Sequence, residues 1–416
     1  MPTATRLAEL RGLLPVAKTI AYADPQAVYR QLRAEWGEVA PVELEPGING
    51  WLVMGHEELS FIVRNERLFA KSSVHWREYA EGLLKPDSPL MPFMFPRPNA
   101  WMTDGEEHRR VRAPLDEAVN GLRLRQVSRQ VTEVCDALIG EFAAKGEADL
   151  LSQYALMIPT VVIGRMLGLD LETALEMHQA QMAMFAINEN SHAAAARFEE
   201  ILFSLVMARK AAPADDMTSV IVHHANMASD EERMQAMVVL ISAAAQGTMS
   251  WIAQVLALML TDARFSGRMR GGRLGTDDAL DEVLWRDPPT ANLPARFALR
   301  DTVLAGQAIE KGDALILGFT AANADPRVHG DDQWGELGNR SHLAFSAGPH
   351  MCPAHVPARL IVRTAVDAAL HQLPGLRLTV PAEELPRLES PWTRSPATLP
   401  VTFTARVRHR AVQPSN

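Results

Sequence analysis

The stretch Phe345 to Cys352, FSAGPHMC, places one of the chain's two cysteines at the end of a loop built from Gly348, Pro349 and His350. A thiolate is a strong, soft ligand for iron. A buried cysteine left alone stays protonated and inert. Gly348 lets the backbone turn N–H groups toward the sulfur, which favours the charged form. A helix beginning after Cys352 adds the positive end of its dipole. Phe345 and Pro349 are placed to keep water off. This is the chemistry an axial haem thiolate needs. A lone cysteine is more often a structural thiol, so the weight falls on the Phe, Gly and His spaced around it.

Other groupings carry chemical content. In DGEEHRRVR, His108 and Arg112 are four apart and share a helix face. An uncharged run from Ala236 to Leu260 holds Ala244-Ala245-Gln246-Gly247-Thr248 at its middle. A threonine there either works with its hydroxyl or satisfies it on the carbonyl one turn back. Six arginines (Arg109, Arg110, Arg112, Arg123, Arg125, Arg129) crowd a short stretch of a chain whose net charge is −9. That acidic total argues against nucleic-acid binding.

The loop resembles the haem loop of the cytochrome P-450 superfamily, F-G-x-G-x-H/R-x-C-x-G. Phe345, Gly348, His350 and Cys352 match, while Ser346 and Ala354 stand where the family has glycine. The resemblance implies haem b (iron protoporphyrin IX) with Cys352 as the iron ligand. It implies that His108, Arg112, Arg296 (in PARFALRD) and His350 meet the haem propionates. It aligns Ala244 to Thr248 with the family's A-G-x-D/E-T, so that Thr248 handles oxygen and protons while Gly247 replaces the acid. The family's E-x-x-R reads Glu282-Val283-Leu284-Trp285, and Gln333 falls where a second arginine belongs. Both cations are absent together, which is physically coherent, because losing one partner of a buried network is costly and losing both can be neutral. EVLWRDPP and NRSHLAF resemble an atypical actinobacterial-type group with tryptophan in place of that arginine.

These residues need a scaffold. Asp24-Pro25 opens a helix to about Glu35; VAPVELE and GWLVMGH read as strands around PGING; HEELSFIVRN reads as a short helix. Five prolines within 82–100 exclude regular structure, yet Met91, Phe93, Met94 and Phe95 make that loop too apolar for a spacer, as in a lid. Thr103 with Glu106, or Asp104 with Glu107, forms a capping box. Helical runs follow near 123–144, 150–168, 171–187 and 193–210, then the long helix capped by Ser229 and Glu232, and another near 277–286. ARFALRD, TVLAGQAI and ALILGF read as strands, Ala354 begins a helix, and LRLTV and VTFTARV are strand-like. No repeat or Gly/Ser linker divides the 416 residues. The expectation is one mainly α domain with a small β part, the cytochrome P-450 fold with a long central helix across the haem. Its β-rich part comes from about 38–60 and 290–320 plus C-terminal strands, and its helical part from about 103–290 and 354–372.

The run 236–260 is long enough to span a bilayer. Polar Gln246, Thr248 and Ser250 at its centre and acids at both ends favour a buried core helix instead. Two cysteines are too few for a disulfide framework, and MPTATRLAELRGLLPVAKT has no apolar signal region, so a reducing cytoplasm is expected. The resemblance implies a bacterial monooxygenase inserting one oxygen atom from O2 into a small organic, secondary-metabolite-like substrate. Electrons would come from a ferredoxin and ferredoxin reductase, the ferredoxin docking on outward arginines. The Pro-rich loop 86–98 and the Met-rich stretch Glu176 to Phe185 are candidate substrate walls, and 189–195 a candidate moving loop. The lost acid keeps a peroxide-using or oxidative-coupling enzyme open, and a non-catalytic helper is the alternative of another class.

Overall fold

Segments far apart in sequence build the sheet, and helices fill the space between them. A computed structural model describes residues 6–22, 24–185, 191–266, 274–328 and 338–405. The main sheet has five strands in the order Val39–Glu45, Ile48–Val53, Ala314–Gly318, Asn292–Ala298 and Phe69–Ala70. The N-terminal hairpin joins Ala314–Gly318 in parallel, with Trp51 opposite Leu315. Trp51 Nε1 also donates to Asp313 Oδ2 at 2.9 Å, tying the N-terminal hairpin to the residue before the strand Ala314–Gly318. A three-stranded sheet pairs Glu147–Asp149 and Arg377–Leu378 with Pro400–Thr402.

The central helix runs from Asp230 to Thr261. Ser229 Oγ accepts the Glu232 N–H at 3.1 Å, and three acids in the first turn complement the dipole. The helix is long and apolar enough to cross a membrane. Here it packs on other helices, chiefly His355–Gln372, Met157–Met166, Ser191–Ala211 and Thr276–Arg286. Trp251 to Leu256 are buried on every side.

Several expectations need correction. The Pro-rich loop does hold regular structure, one helical turn at Met91–Met94, because Pro92 falls in the first turn where no N–H is needed. The run 150–168 is split into a π-helical turn, Leu151–Ala155, and the α-helix Met157–Met166. The helix Met217–His223 was not anticipated. No capping box opens Gly105–Asn120: Asp104 is the N-cap, but its carboxylate accepts the Lys71 and Ser72 N–H groups at 2.7 and 2.8 Å.

Candidate functional site

The cysteine loop is closed by the Cys352 N–H donating to Phe345 O at 3.0 Å. Gly348 has φ +68°, and a Cβ there would collide with the Val63 carbonyl. Left-handed backbone and close approach therefore both demand glycine. Ser346 is also left-handed, φ 60°, where a side chain is strained, and its hydroxyl is buried without a partner. Ala354, the other replaced glycine, has φ −95° and caps His355–Gln372 without strain. Phe345 lies edge-on to Trp251, ring centroids 5.7 Å apart, and shields the loop from inside, whereas Pro349 is exposed. Burial pushes the Cys352 thiol up; the Ala354 N–H and Arg112 oppose it and lose. Loop dipoles alone thus do not offset burial, and a bound metal cation would favour the thiolate.

Beside the loop, three segments bring basic groups together. His108 is 2% exposed, and neither ring nitrogen has a partner. It stacks on His350, centroids 3.8 Å apart. Among the described residues His350 Nε2 and Arg296 Nε and Nη1 are likewise buried without a hydrogen bond. Burial, then the charges of Arg112 and Arg296, holds His108 down to about 4. Burial, helped first by Arg296, pushes His350 far below its ordinary value. Arg296 itself is lowered to about 10 by burial.

Arg112 is spent differently. Its guanidinium donates to Asp116 Oδ1 at 2.7 Å and to Met351 O at 2.8 Å, so it braces the loop. Three further residues at the cluster gave no sequence signal. Lys71 is 4% exposed and donates to Pro294 O and Ala295 O, the two carbonyls before Arg296. Glu66 Oε1 lies 3.5 Å from His350 Nε2. Asp104, read only as a cap, lies 4.0 Å from both Arg296 Nη1 and His350 Nε2.

Glu66, His108 and His350 offer ligand atoms within 4.8 Å of one another, a spacing that could hold a cation. Burial, which chiefly depresses both histidines, and the neighbouring charges of Arg112 and Arg296 make a cation a poor occupant. Buried donors without acceptors instead fit anionic oxygens, such as the two carboxylates of a haem.

Thr248 is buried on the central helix. Helical Thr132, Thr160, Thr261 and Thr364 each donate to the carbonyl four residues back. Among the described residues no such bond is found for Thr248, so its hydroxyl is available for other work. A Cβ on Gly247 would meet nothing within 4 Å. Ala243 and Gln246 are the only exposed residues between Glu232 and Leu260, so the helix opens on one side here. Ala244 and Ala245 are half-buried beside that opening; Ala245 lines a small cleft with Ile241, Met177, His178 and Gln181.

Glu282 and Trp285 depart from expectation. Glu282 is not left without cations: Arg264 reaches it at 2.9 Å and Arg286, a turn along its own helix, at 2.7 Å. Trp285 Nε1 donates to Asn339 O at 2.8 Å. Gln333 lies outside the described residues.

Of the crowded arginines, Arg109 pairs with Glu106, Arg110 with Glu107 and Glu232, and Arg123 with Asp215. Arg125 and Arg129 are exposed, with no ion pair found among the described residues. In the Pro-rich loop, Leu90 and Met94 are buried and Phe93 lies 6.1 Å from Trp392. Of the Met-rich stretch, Met177 is core and Met182 is exposed. Part of 189–195 lies outside the described residues.

No family model matches the chain. Nocardicin C N-oxygenase of Nocardia uniformis subsp. tsuyamanensis is 29% identical over 401 residues, 93% of this chain and 98% of that protein. Cytochrome P450 monooxygenase PikC of Streptomyces venezuelae is 26% identical over 392 residues, covering 92% and 91%. Among solved structures, CYP154C4 from Streptomyces sp. W2061 superposes with TM-score 0.84 at 26% identity, covering 94% of this chain and 98% of that one. CYP154A1 from Streptomyces coelicolor A3(2) gives 0.81 at 27%, covering 94% and 99%. With this fold, this cysteine loop and these relatives, the chain has the cytochrome P450 fold and is similar over nearly its whole length to bacterial P450 monooxygenases, oxidoreductases whose family implies haem.

Proposed function

We propose that the chain is a cytoplasmic, single-domain haem b monooxygenase. Its reaction inserts one oxygen atom from O2 into a small organic substrate of secondary metabolism. Nocardicin C N-oxygenase, by its name, acts in that chemistry, which supports the substrate class. In this reading Cys352 would bind the haem iron, and His108, Arg296 and His350 would receive the propionates. Arg112 holds the loop through the Met351 carbonyl. When bound, haem supplies the iron centre for dioxygen chemistry, with the thiolate favouring O–O cleavage.

The remaining steps belong to side chains. The Thr248 hydroxyl, not back-bonded, can hold a water and pass a proton from its oxygen. Gly247 supplies no acid, so protons arrive through water in the space beside it. Phe345 and Trp251 keep solvent from the sulfur's inner side. The single observation that carries the reading is the cluster of buried, acceptor-less donors beside the Cys352 loop. The test is the spectrum of the reduced carbon monoxide complex, followed by turnover with NADPH, ferredoxin reductase and ferredoxin. A thiolate-type Soret band and NADPH-linked product are expected; absence of haem would overturn the reading and favour a helper protein.

Gly247 favours one second reading, a peroxide-using enzyme. Peroxide-driven product with none from ferredoxin and NADPH would select it. Ferredoxin docking rests on Arg125 and Arg129, on a helix packed against His355–Gln372. Changing both to Gln is expected to slow electron transfer several-fold at low salt and flatten its salt dependence. Unchanged rates would remove these two from the docking surface.

A further inference from the structure

We propose that Asp281 is a positioning residue whose carboxylate clamps the chain on both sides of the Cys352 loop. The proposal rests on the haem-thiolate reading above. Asp281 lies on Thr276–Arg286 and is 4% exposed. Arg359 stands on the helix that leaves the loop. It forks onto the carboxylate, Nη1 to Oδ1 and Nη2 to Oδ2, the latter at 3.0 Å. Arg340 stands on the segment that enters the loop, and its Nε donates to Asp281 Oδ2 at 3.2 Å. Residues 345–354, with the sulfur among them, are thus strung between two arginines held by one buried carboxylate. Forked, charge-assisted pairs of this kind fix direction as well as distance.

A second tie runs between the same two elements. Trp285, one turn beyond Asp281, donates to Asn339 O at 2.8 Å. Its ring meets His342 edge-on, centroids 5.9 Å apart, and His342 lies 6.0 Å from Phe345. A packed row therefore leads from this helix to the first residue of the loop. Glu282, one residue from Asp281, faces elsewhere. Its partners are Arg264 and Arg286, and neither belongs to the segments that enter or leave the loop. The tryptophan that displaces an arginine therefore does not leave the loop unsupported: Asp281, Arg340 and Arg359 hold it.

The experiment compares four holoprotein variants: Asp281→Asn, Arg359→Lys, Arg340→Gln and Glu282→Gln. Each is read three ways. The reduced carbon monoxide complex gives the ratio of thiolate-type to neutral-thiol-type Soret bands. Haem transfer to excess apomyoglobin gives the rate of haem loss. Circular dichroism gives the thermal midpoint. Asp281→Asn and Arg359→Lys are expected to raise both the neutral-thiol fraction and haem loss several-fold. Arg340, whose side chain is 61% exposed, can be changed without unfolding the core and should show the same shift, smaller. Glu282→Gln should lower the thermal midpoint and leave the band ratio alone. If Asp281→Asn does not fold, the two arginine variants decide. A Glu282→Gln shift as large as that of Asp281→Asn overturns the clamp, as do arginine variants with the wild-type ratio. A wild type without any thiolate-type band overturns the functional reading itself, and the clamp with it.

Discussion

Two regions flank the cysteine loop with the same residue types and treat them in opposite ways. On Thr276–Arg286, Asp281 and Glu282 are buried, and each is met by two arginines. Around His108, the buried basic groups Arg296 and His350 lack acceptors. A charge satisfied within the chain is scaffolding. A charge left desolvated and unpaired costs stability, and persists where a ligand completes it. The contrast separates support from site without reference to any relative.

The contrast is broken or sustained most sharply by removing one charge from each region. Arg296→Leu should stabilise the haem-free protein by about 1–3 kcal/mol, since a buried guanidinium disappears whose Nε and Nη1 make no hydrogen bond and whose contact with Asp104 is a long 4.0 Å. The same change should weaken haem binding. Asp281→Asn should destabilise the haem-free protein by about 1–3 kcal/mol, because it removes the buried charge onto which Arg359 forks, while Asp277 still meets Arg359 and Arg340 stays in water. Urea unfolding of both apoproteins measures the signs. Two destabilisations of similar size would show that Arg296 is scaffolding after all.

Acid should separate the regions next. His108 and His342 are each held to about 4, chiefly by burial. His342 belongs to the packed row with Trp285, and His108 to the open cluster. The unfolded chain takes up these protons near 6.5 and the folded chain only near 4, so stability falls as pH drops through that interval. By pH 5 the loss is about 2 kcal/mol for each histidine. In the apoprotein His108 and His350 add to His342. Carboxylates placed beside the cluster would let those two hold protons, leaving only His342 to titrate against folding. Glu66, pushed up by burial, works in the opposite direction. Urea unfolding between pH 7 and 5.5 should therefore show a steeper fall for apo than for haem-loaded protein. Equal slopes would argue that haem leaves the cluster unchanged.

What was legible in the sequence follows the same division. Gly348 could be read because its demand is local, a left-handed turn, and Phe345 and Cys352 because they share that short loop. The strands and the central helix could be read from period and capping, Ser229 above all. The support network could not. Asp281 meets Arg340 and Arg359 across 59 and 78 residues, and no local spacing announces such pairs. Arg264 reaches Glu282 only because the chain turns back after the central helix, so counting from the E-x-x-R position alone suggested a missing network. Lys71 and Glu66 are ordinary surface residue types whose burial is decided by what packs over them. Thr248 was legible as a position, but that its hydroxyl escapes the usual back-bond is a matter of rotamer.

Ser346 tests the smallest difference, within the loop itself. It resembles the open cluster, with a buried hydroxyl lacking a partner, yet it lies beside the supported segment and has φ 60°. If it belongs to the scaffold, its strain is only tolerated, and glycine should be better. Ser346→Gly removes a left-handed side chain and an unsatisfied hydroxyl together, and is expected to stabilise the protein by about 1 kcal/mol. The Soret band ratio and haem loss should not change, because Gly348 and the Cys352 N–H still close the turn. If haem loss rises while stability rises, the hydroxyl has a partner only in the loaded protein. Ser346 then joins the site rather than its support.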